Sequence, residues 1–142
     1  MEESFDELVD TFSFLEDWEE RYRHVIELGK AMPPLPDGLK GPETKVDGCA
    51  SQVWLVPEVS GAGGTAKIDF QGDSDAIIVR GLIAVLKLMF ADKTADEIVE
   101  LDASSALNQL GLDQHLSAQR SNGLKAMIAR IKAVASAAKA AV

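Results

Sequence analysis

The run GDSDAIIVRGLIAVLKLMFAD, residues 72–92, constrains the fold more than any other part of the chain. From Ile77 to Met89 it is apolar on nearly every side of a helix, with Arg80 and Lys87 as the exceptions. A helix that lacks a polar face has to be surrounded by other elements, because otherwise its apolar side chains would face water. This segment is therefore predicted to be the buried centre of the fold.

Helices are predicted on both sides of this centre. Apolar residues from Phe5 to Gly29 recur at helical spacing and predict one long amphipathic helix, which ends at the prolines of AMPPLPDG. A short helix is predicted through Leu101, and the C-terminal segment predicts a further helix with its own apolar stripe. The predicted N-terminal caps are Ser4, Asp73 or Ser74, and Thr94.

Two segments have the composition and alternation of β-strands. SQVWLVPEV (51–59) is rich in β-branched and aromatic residues, and AKIDFQ (66–71) alternates apolar with polar side chains. GAGGT between them predicts a hairpin turn, and a third strand is expected from the region of Lys45–Gly48 because a lone hairpin is only marginally stable. The prediction is a single α+β domain over residues 1–142, with a small antiparallel sheet of about three strands packed on one face by helices.

Charge and composition exclude several classes of function. The net charge is −9, and such an acidic chain would be repelled by nucleic acid. Residues 1–20 carry nine acids and no base, whereas the chain from Leu116 onwards carries five bases and no acid. Neither a membrane span nor a signal peptide is recognisable, so we expect a cytoplasmic protein.

Cys49 is the only cysteine in the chain, and it follows Gly48 at the start of the first predicted strand. The small residues behind it and the proline-rich loop before it favour a reachable, reactive thiol over a packed one. Two alternatives stay open from the residues alone. Cys49 and His115 could serve a hydrolase as nucleophile and base, or Cys49 could be a packing residue in a non-catalytic adaptor.

The absence of a second cysteine limits what a reactive Cys49 can do. No internal disulfide can resolve an oxidised Cys49, so any sulfur species formed on it has to leave to another molecule. A thiolate that attacks the outer sulfur of another protein's persulfide becomes a persulfide itself, which is a reversible state of cysteine. Such a carrier needs no cofactor and no metal of its own. In the resting protein we expect Cys49 to sit against apolar side chains that protect the thiol.

Four motifs in fixed order resemble the SufE family, the sulfur acceptors of cysteine desulfurases, which includes the close relative CsdE. Together they cover nearly the whole chain from about Asp10 to the last helix. Their main departure from the family is the long glycine-rich turn SGAGGTAK. The motifs are RYRHVIELGKAMPPLP (21–36), VDGCASQVWL (46–55), GDSDAIIVRGLIAVL (72–86) and HLSAQRSNGLKAMI (115–128).

The resemblance implies a SufE/IscU-like fold and a function for Cys49. The family's cysteine takes sulfane sulfur from a desulfurase, either SufS-like or CsdA-like, stimulates that enzyme, and passes the sulfur to an iron–sulfur scaffold. Pyridoxal phosphate would belong to the partner, no independent turnover is expected, and the chain would be a monomer or a weak homodimer. Arg120 is expected to place positive charge near Cys49. The residues expected to support Cys49 or to contact the partner are Gly48, Ser51, Gln52, Trp54, Asp73, Ser74, Asp75 and Arg120.

Overall fold

The computed structural model describes residues 4–48 and 51–141, apart from the side chain of Asp113. This part of the chain forms an α+β fold in which helices pack around a hairpin, as the sequence predicts. Within it, no helix combines the length and the apolar character needed to cross a bilayer. The elements are α1 Phe5–Ser13, α2 Trp18–Ala31, a 3-10 turn Asp37–Leu39, β1 Val53–Ser60, β2 Lys67–Ser74, α3 Ile77–Phe90, α4 Ala95–Glu100, α5 Ala103–Leu110, α6 Leu112–His115 and α7 Ala118–Ala140.

Helix α3 is the centre of the fold, which confirms the prediction from its apolar run. Nine of its 14 residues are buried, including Leu82, Ile83 and Leu86. Helix α2, strand β2 and helix α7 all pack against it. Burial of an apolar side chain stabilises a fold by about 1.5–3 kcal/mol, so this one helix supplies a large part of the stability.

Two glycines allow α2 and α3 to cross at very close range. A Cβ atom on Gly29 would lie 2.6 Å from the backbone nitrogen of Gly81, and a Cβ atom on Gly81 would overlap the backbone of Val25. Only hydrogen at these positions permits the two helix backbones to touch. The crossing brings the C-terminal end of α2 next to Arg80, the residue before Gly81.

The sheet is a two-stranded antiparallel hairpin. Its register runs from Val53 opposite Ser74 to Ser60 opposite Lys67. The alternation read from the sequence is correct, because Ile68 and Phe70 are buried while Lys67, Asp69 and Gln71 are exposed. Helices α3 and α7 cover the buried face.

The predicted long N-terminal helix is wrong, because the structure divides it into α1 and α2. Asp17 starts the second helix, and its side chain accepts a hydrogen bond of 2.9 Å from the backbone N–H of Glu20. The guanidinium group of Arg21 donates to the backbone carbonyls of Phe12 and Leu15 at the break. A cap and a cation for the freed carbonyls stabilise a break that apolar periodicity does not reveal.

The third strand is reduced to a bridge. Lys45 pairs with Trp54, flanked by hydrogen bonds of 2.9 Å from Val46 N–H to Val53 and from Leu55 N–H to Thr44, so the described residues hold two strands and not three. Gly48, with φ of +92°, turns the chain out of the extended conformation.

Two of the three predicted N-terminal helix caps are confirmed, and the third is wrong. The caps at Ser4 and Thr94 are confirmed by hydrogen bonds to their side chains. The cap predicted for α3 is wrong: Asp73 and Ser74 end β2, and Ala76 precedes the helix without a side-chain cap.

Replacing Gly81 tests the close helix crossing. We expect Gly81→Ala to lower the free energy of unfolding by about 3 kcal/mol, because the added methyl group meets backbone that cannot move without separating the helices. Urea unfolding followed by circular dichroism measures the change. Gly38→Ala is the control and should be close to neutral, since no atom lies within 4 Å of the added carbon. Equal effects of the two substitutions would contradict the assigned role of the crossing.

Candidate functional site

We call residues 47–51, which include Cys49, the cysteine segment. The structure describes it up to Gly48 and again from Ser51. Cys49 and Ala50 lie outside the described residues, so the expected resting place of the thiol stays a prediction. Gly48 faces α7, where a side-chain carbon would lie 3.4 Å from the Cβ of Ala126. Its positive φ is unfavourable for residues with a side chain, which gives a backbone reason for glycine before the cysteine.

Ser51 lines a cavity of about 180 Å³ between α3 and the first turns of α7. The part of the cavity formed by α3 is apolar, whereas the start of α7 contributes polar groups. A cavity of this character can hold a small side chain against apolar surface while a cation lies close by. Its other lining residues are Val79, Leu82, Ser117, Gln119, Arg120, Gly123, Leu124 and Met127.

The start of α7 makes the cavity electropositive. Ser117 caps the helix and accepts a hydrogen bond of 3.3 Å from the backbone N–H of Arg120. The N-terminus of a helix carries a partial positive charge, so a cation in the first turn is unfavourable for the helix itself. Helix stability therefore does not explain the position of Arg120, whose exposed side chain adds a full positive charge to the cavity lined by Ser51.

Asp75 holds the backbone on the other side of Ser51. Its side chain accepts a hydrogen bond of 3.0 Å from the N–H of Gln52, and its own N–H donates to the carbonyl of Gln52 at 3.3 Å. This pair extends the hairpin one step beyond β1 and β2. It fixes the point at which the chain leaves the cysteine segment.

Asp73, two residues earlier, is one of the few buried polar residues in the described chain. Both oxygens of its carboxylate have partners. It accepts hydrogen bonds from the backbone N–H groups of Leu35 at 2.9 Å and of Ser74 at 2.8 Å. It also forms an ion pair with Arg80, and the ammonium group of Lys40 lies 3.4 Å from the same carboxylate. Burial acts to raise the pKa of Asp73, but the hydrogen bonds from Leu35 and Ser74 and the charge of Arg80 outweigh it and hold the pKa below its ordinary value of 3.8.

Arg80 completes a clasp, which we define as buried Asp73 with its half-buried partners Arg80 and Lys40. The guanidinium group of Arg80 also donates to the carbonyls of Gly29 at 3.2 Å and of Met32. The clasp thus joins the end of α2, the proline-rich segment, the end of β2 and helix α3. The remaining predicted residue, Trp54, is half-buried and lies with its ring 5.2 Å from the ammonium group of Lys40.

The predicted site residues therefore fall into two groups in the structure. Ser51 and Arg120 meet at the cavity, whereas Asp73, Ser74, Asp75, Gln52 and Trp54 meet at the open end of the hairpin. Sequence reasoning missed Lys40 and the role of Arg80. The available signal was Arg80 itself, because a charge inside an otherwise apolar helix has to find a buried partner.

His115, the candidate base of the hydrolase alternative, has a packing role. Its ring stacks on Trp18 with 4.6 Å between centroids and 13° between planes. This contact joins the end of α6 to the start of α2. It gives no support to a Cys–His pair.

The described residues form a small α+β fold with a two-stranded hairpin, in which Ser51, two residues after the single cysteine in the sequence, lines an electropositive cavity. The model of the SufE family, described as "Fe-S metabolism associated domain", matches residues 6–135. The chain belongs to the SufE family, which confirms the resemblance read from its motifs and places it in iron–sulfur metabolism.

Individual relatives agree with this assignment. The chain is 50% identical over 132 residues to an uncharacterized SufE-like protein of Rhizobium meliloti, covering 93% of this chain and 94% of the relative. It is 53% identical over 129 residues to an uncharacterized SufE-like protein of Rhizobium etli, covering 91% and 87%. The solution structure of a hypothetical protein from Thermus thermophilus has the same fold, with a TM-score of 0.72, 18% identity and 94% coverage of both chains.

The clasp predicts a specific response to acid. Because the pKa of Asp73 is lower in the folded protein, its ionised form contributes stability above the unfolded pKa, and that stability is lost as the pH falls through the folded pKa. We expect Asp73→Asn to lower the free energy of unfolding by about 3 kcal/mol at neutral pH, since it leaves the charge of Arg80 half-buried without its partner. The difference from the parent protein, measured by urea unfolding, should shrink below about pH 4. A difference that stays constant down to about pH 2 would contradict the assignment.

Proposed function

We propose that this protein accepts persulfide sulfur on Cys49 from a cysteine desulfurase and delivers it for iron–sulfur cluster assembly. The observation that carries the proposal is a single cysteine in the SufE motif, two residues before Ser51, which lines an electropositive cavity. Because the chain has no other cysteine, the donor and the final acceptor are both other molecules. The pyridoxal phosphate of the reaction belongs to the desulfurase.

The transfer is a displacement at sulfur. The thiolate of Cys49 attacks the outer sulfur of the persulfide on the desulfurase and forms a new S–S bond, while the old S–S bond breaks. The electron pair of the broken bond leaves with the desulfurase cysteine as a thiolate, and the proton of the outer sulfur stays with the transferred group. The oxidation level of the pair does not change, so no oxidant or reductant is consumed.

Stimulation of the desulfurase follows from the same step. Each transfer regenerates the free thiolate of the donor, which is the form that can accept the next sulfur from substrate. A desulfurase whose turnover is limited by its own persulfide is therefore accelerated by an acceptor. The persulfide on Cys49 is then open to attack by a thiol of the iron–sulfur scaffold.

Arg120 and the start of α7 support the nucleophile in this proposal. A thiol has to be ionised to attack, and a neighbouring cation or a helix N-terminus increases the ionised fraction near neutral pH. We assign this effect to Arg120 and to the N-terminus of α7, because Ser51, which follows Cys49 by two residues in the sequence, lines the same cavity as Arg120. The same positive charge stabilises the negative charge that is shared among the sulfur atoms during the transfer.

Mass spectrometry of the intact protein tests the transfer directly. Incubation with a cysteine desulfurase and L-cysteine should add one sulfur, about 32 Da, to the parent protein. Cys49→Ser is the matched control and should gain no mass. If the desulfurase is shown to carry its own persulfide and the parent protein still gains nothing, the proposal is wrong for that desulfurase class. Both SufS-like and CsdA-like donors are therefore used.

The role of Arg120 predicts a pH-dependent defect. Arg120→Ala should slow sulfur transfer about threefold to tenfold at pH 7, because fewer Cys49 thiols are ionised and the gain in intrinsic nucleophilicity offsets only part of the loss. The defect should shrink as the pH rises, since alkaline solution ionises the thiol without a cation. The measurement is the initial rate of mass gain at several pH values, with Lys125→Ala, on an exposed position of the same helix, as the control. Unchanged transfer in Arg120→Ala would exclude the electrostatic role.

A further inference from the structure

The backbone that leads into the cysteine segment is held from outside by one residue of α7. Arg130 is half-buried, and its guanidinium group donates to the carbonyl of Glu43 at 2.8 Å and to the carbonyl of Lys45 at 3.4 Å. Glu43 lies in a turn, in which the N–H groups of Thr44 and Lys45 both donate to the carbonyl of Gly41, and Lys45 is the residue that bridges to Trp54. The two acceptors lie six and four residues before Cys49.

The directions of the carbonyls explain why an arginine fits there. The carbonyl of Thr44 accepts a hydrogen bond from Leu55 in β1, whereas those of its neighbours Glu43 and Lys45 meet Arg130. Arg130 therefore binds the two carbonyls on either side of the one that pairs with β1. A guanidinium group presents two donors in a rigid plane, which a lysine ammonium group does not.

We propose that Arg130 is a positioning residue for Cys49. By holding the carbonyls of Glu43 and Lys45, it keeps Lys45 paired with Trp54 and Val46 paired with Val53, and so fixes the point at which the chain enters the cysteine segment. Asp75 performs the corresponding task at the exit through Gln52. This inference rests on the proposed function, because positioning matters only if Cys49 reacts.

The same helix supplies a matched control. Lys132, two residues further along α7, also donates from a cationic side chain to two backbone carbonyls, those of Val99 and Leu101. Those carbonyls lie at the end of α4 and just after it, and do not belong to the cysteine segment. Lys132→Ala therefore removes the same kind of bond from the same helix without touching the stretch before Cys49.

The experiment measures the rate at which iodoacetamide alkylates Cys49 in the free protein at neutral pH. Arg130→Ala should raise that rate about tenfold, since loss of a charge-assisted hydrogen bond changes the population of the released segment by about that factor. Arg130→Lys should lie between the variant and the parent protein, because one bond can still form. Lys132→Ala should match the parent protein. Hydrogen exchange should show faster exchange of the Val46 and Leu55 amides in Arg130→Ala alone.

Two results would overturn the inference: an unchanged alkylation rate in Arg130→Ala, or an equal increase in Lys132→Ala, which would mark a general loosening of the fold. Thermal unfolding of each variant identifies any that fails to fold, and Arg130→Lys then carries the test. The assay contains no desulfurase. Its failure is therefore distinct from failure of sulfur capture by the parent protein, which would refute the proposed function instead.

Discussion

The ion pair between buried Asp73 and half-buried Arg80 is the interaction on which the arrangement of the site depends. Its carboxylate holds the backbone of Leu35, and its guanidinium group holds the carbonyls of Gly29 and Met32. A buried ion pair adds little net stability over apolar packing, but loss of one partner is costly. Its contribution here is geometric, because it fixes the proline-rich segment and the end of β2 relative to α3.

Helix α7 also holds the site in place, and most of its basic side chains contact other parts of the chain. Three of the five bases seen in the C-terminal sequence bind within the chain: Arg130 and Lys132 bind backbone carbonyls, and Lys139 forms an ion pair of 3.0 Å with Asp96. Arg120 differs from these three because it lies in the first turn, where a cation opposes the helix dipole, and lines the cavity beside Ser51. One helix thus carries both structural cations and the cation assigned to chemistry.

A carrier with one cysteine places particular demands on its fold. In the proposed transfer the nucleophile needs an ionising environment, which we assign to the start of α7, and a defined backbone on either side, which we assign to Arg130 and Asp75. It needs no catalytic base, and His115 is engaged in stacking on Trp18. The site is therefore built from backbone anchors and local charge, which suits a displacement at sulfur that consumes no cofactor of this chain.

The sequence by itself determined the local features. The apolar run of α3 placed it at the centre, alternation located the strands, the caps at Ser4 and Thr94 marked helix starts, and the motif around Cys49 identified the family. Only the tertiary structure decided the partners of Arg80 and Arg130, the break between α1 and α2, and the reduction of the third strand to a bridge. Periodicity and capping act between residues a few positions apart, whereas Arg130 meets a carbonyl 87 residues away. Contacts at that separation depend on how helices and strands pack, and no short stretch of sequence records them.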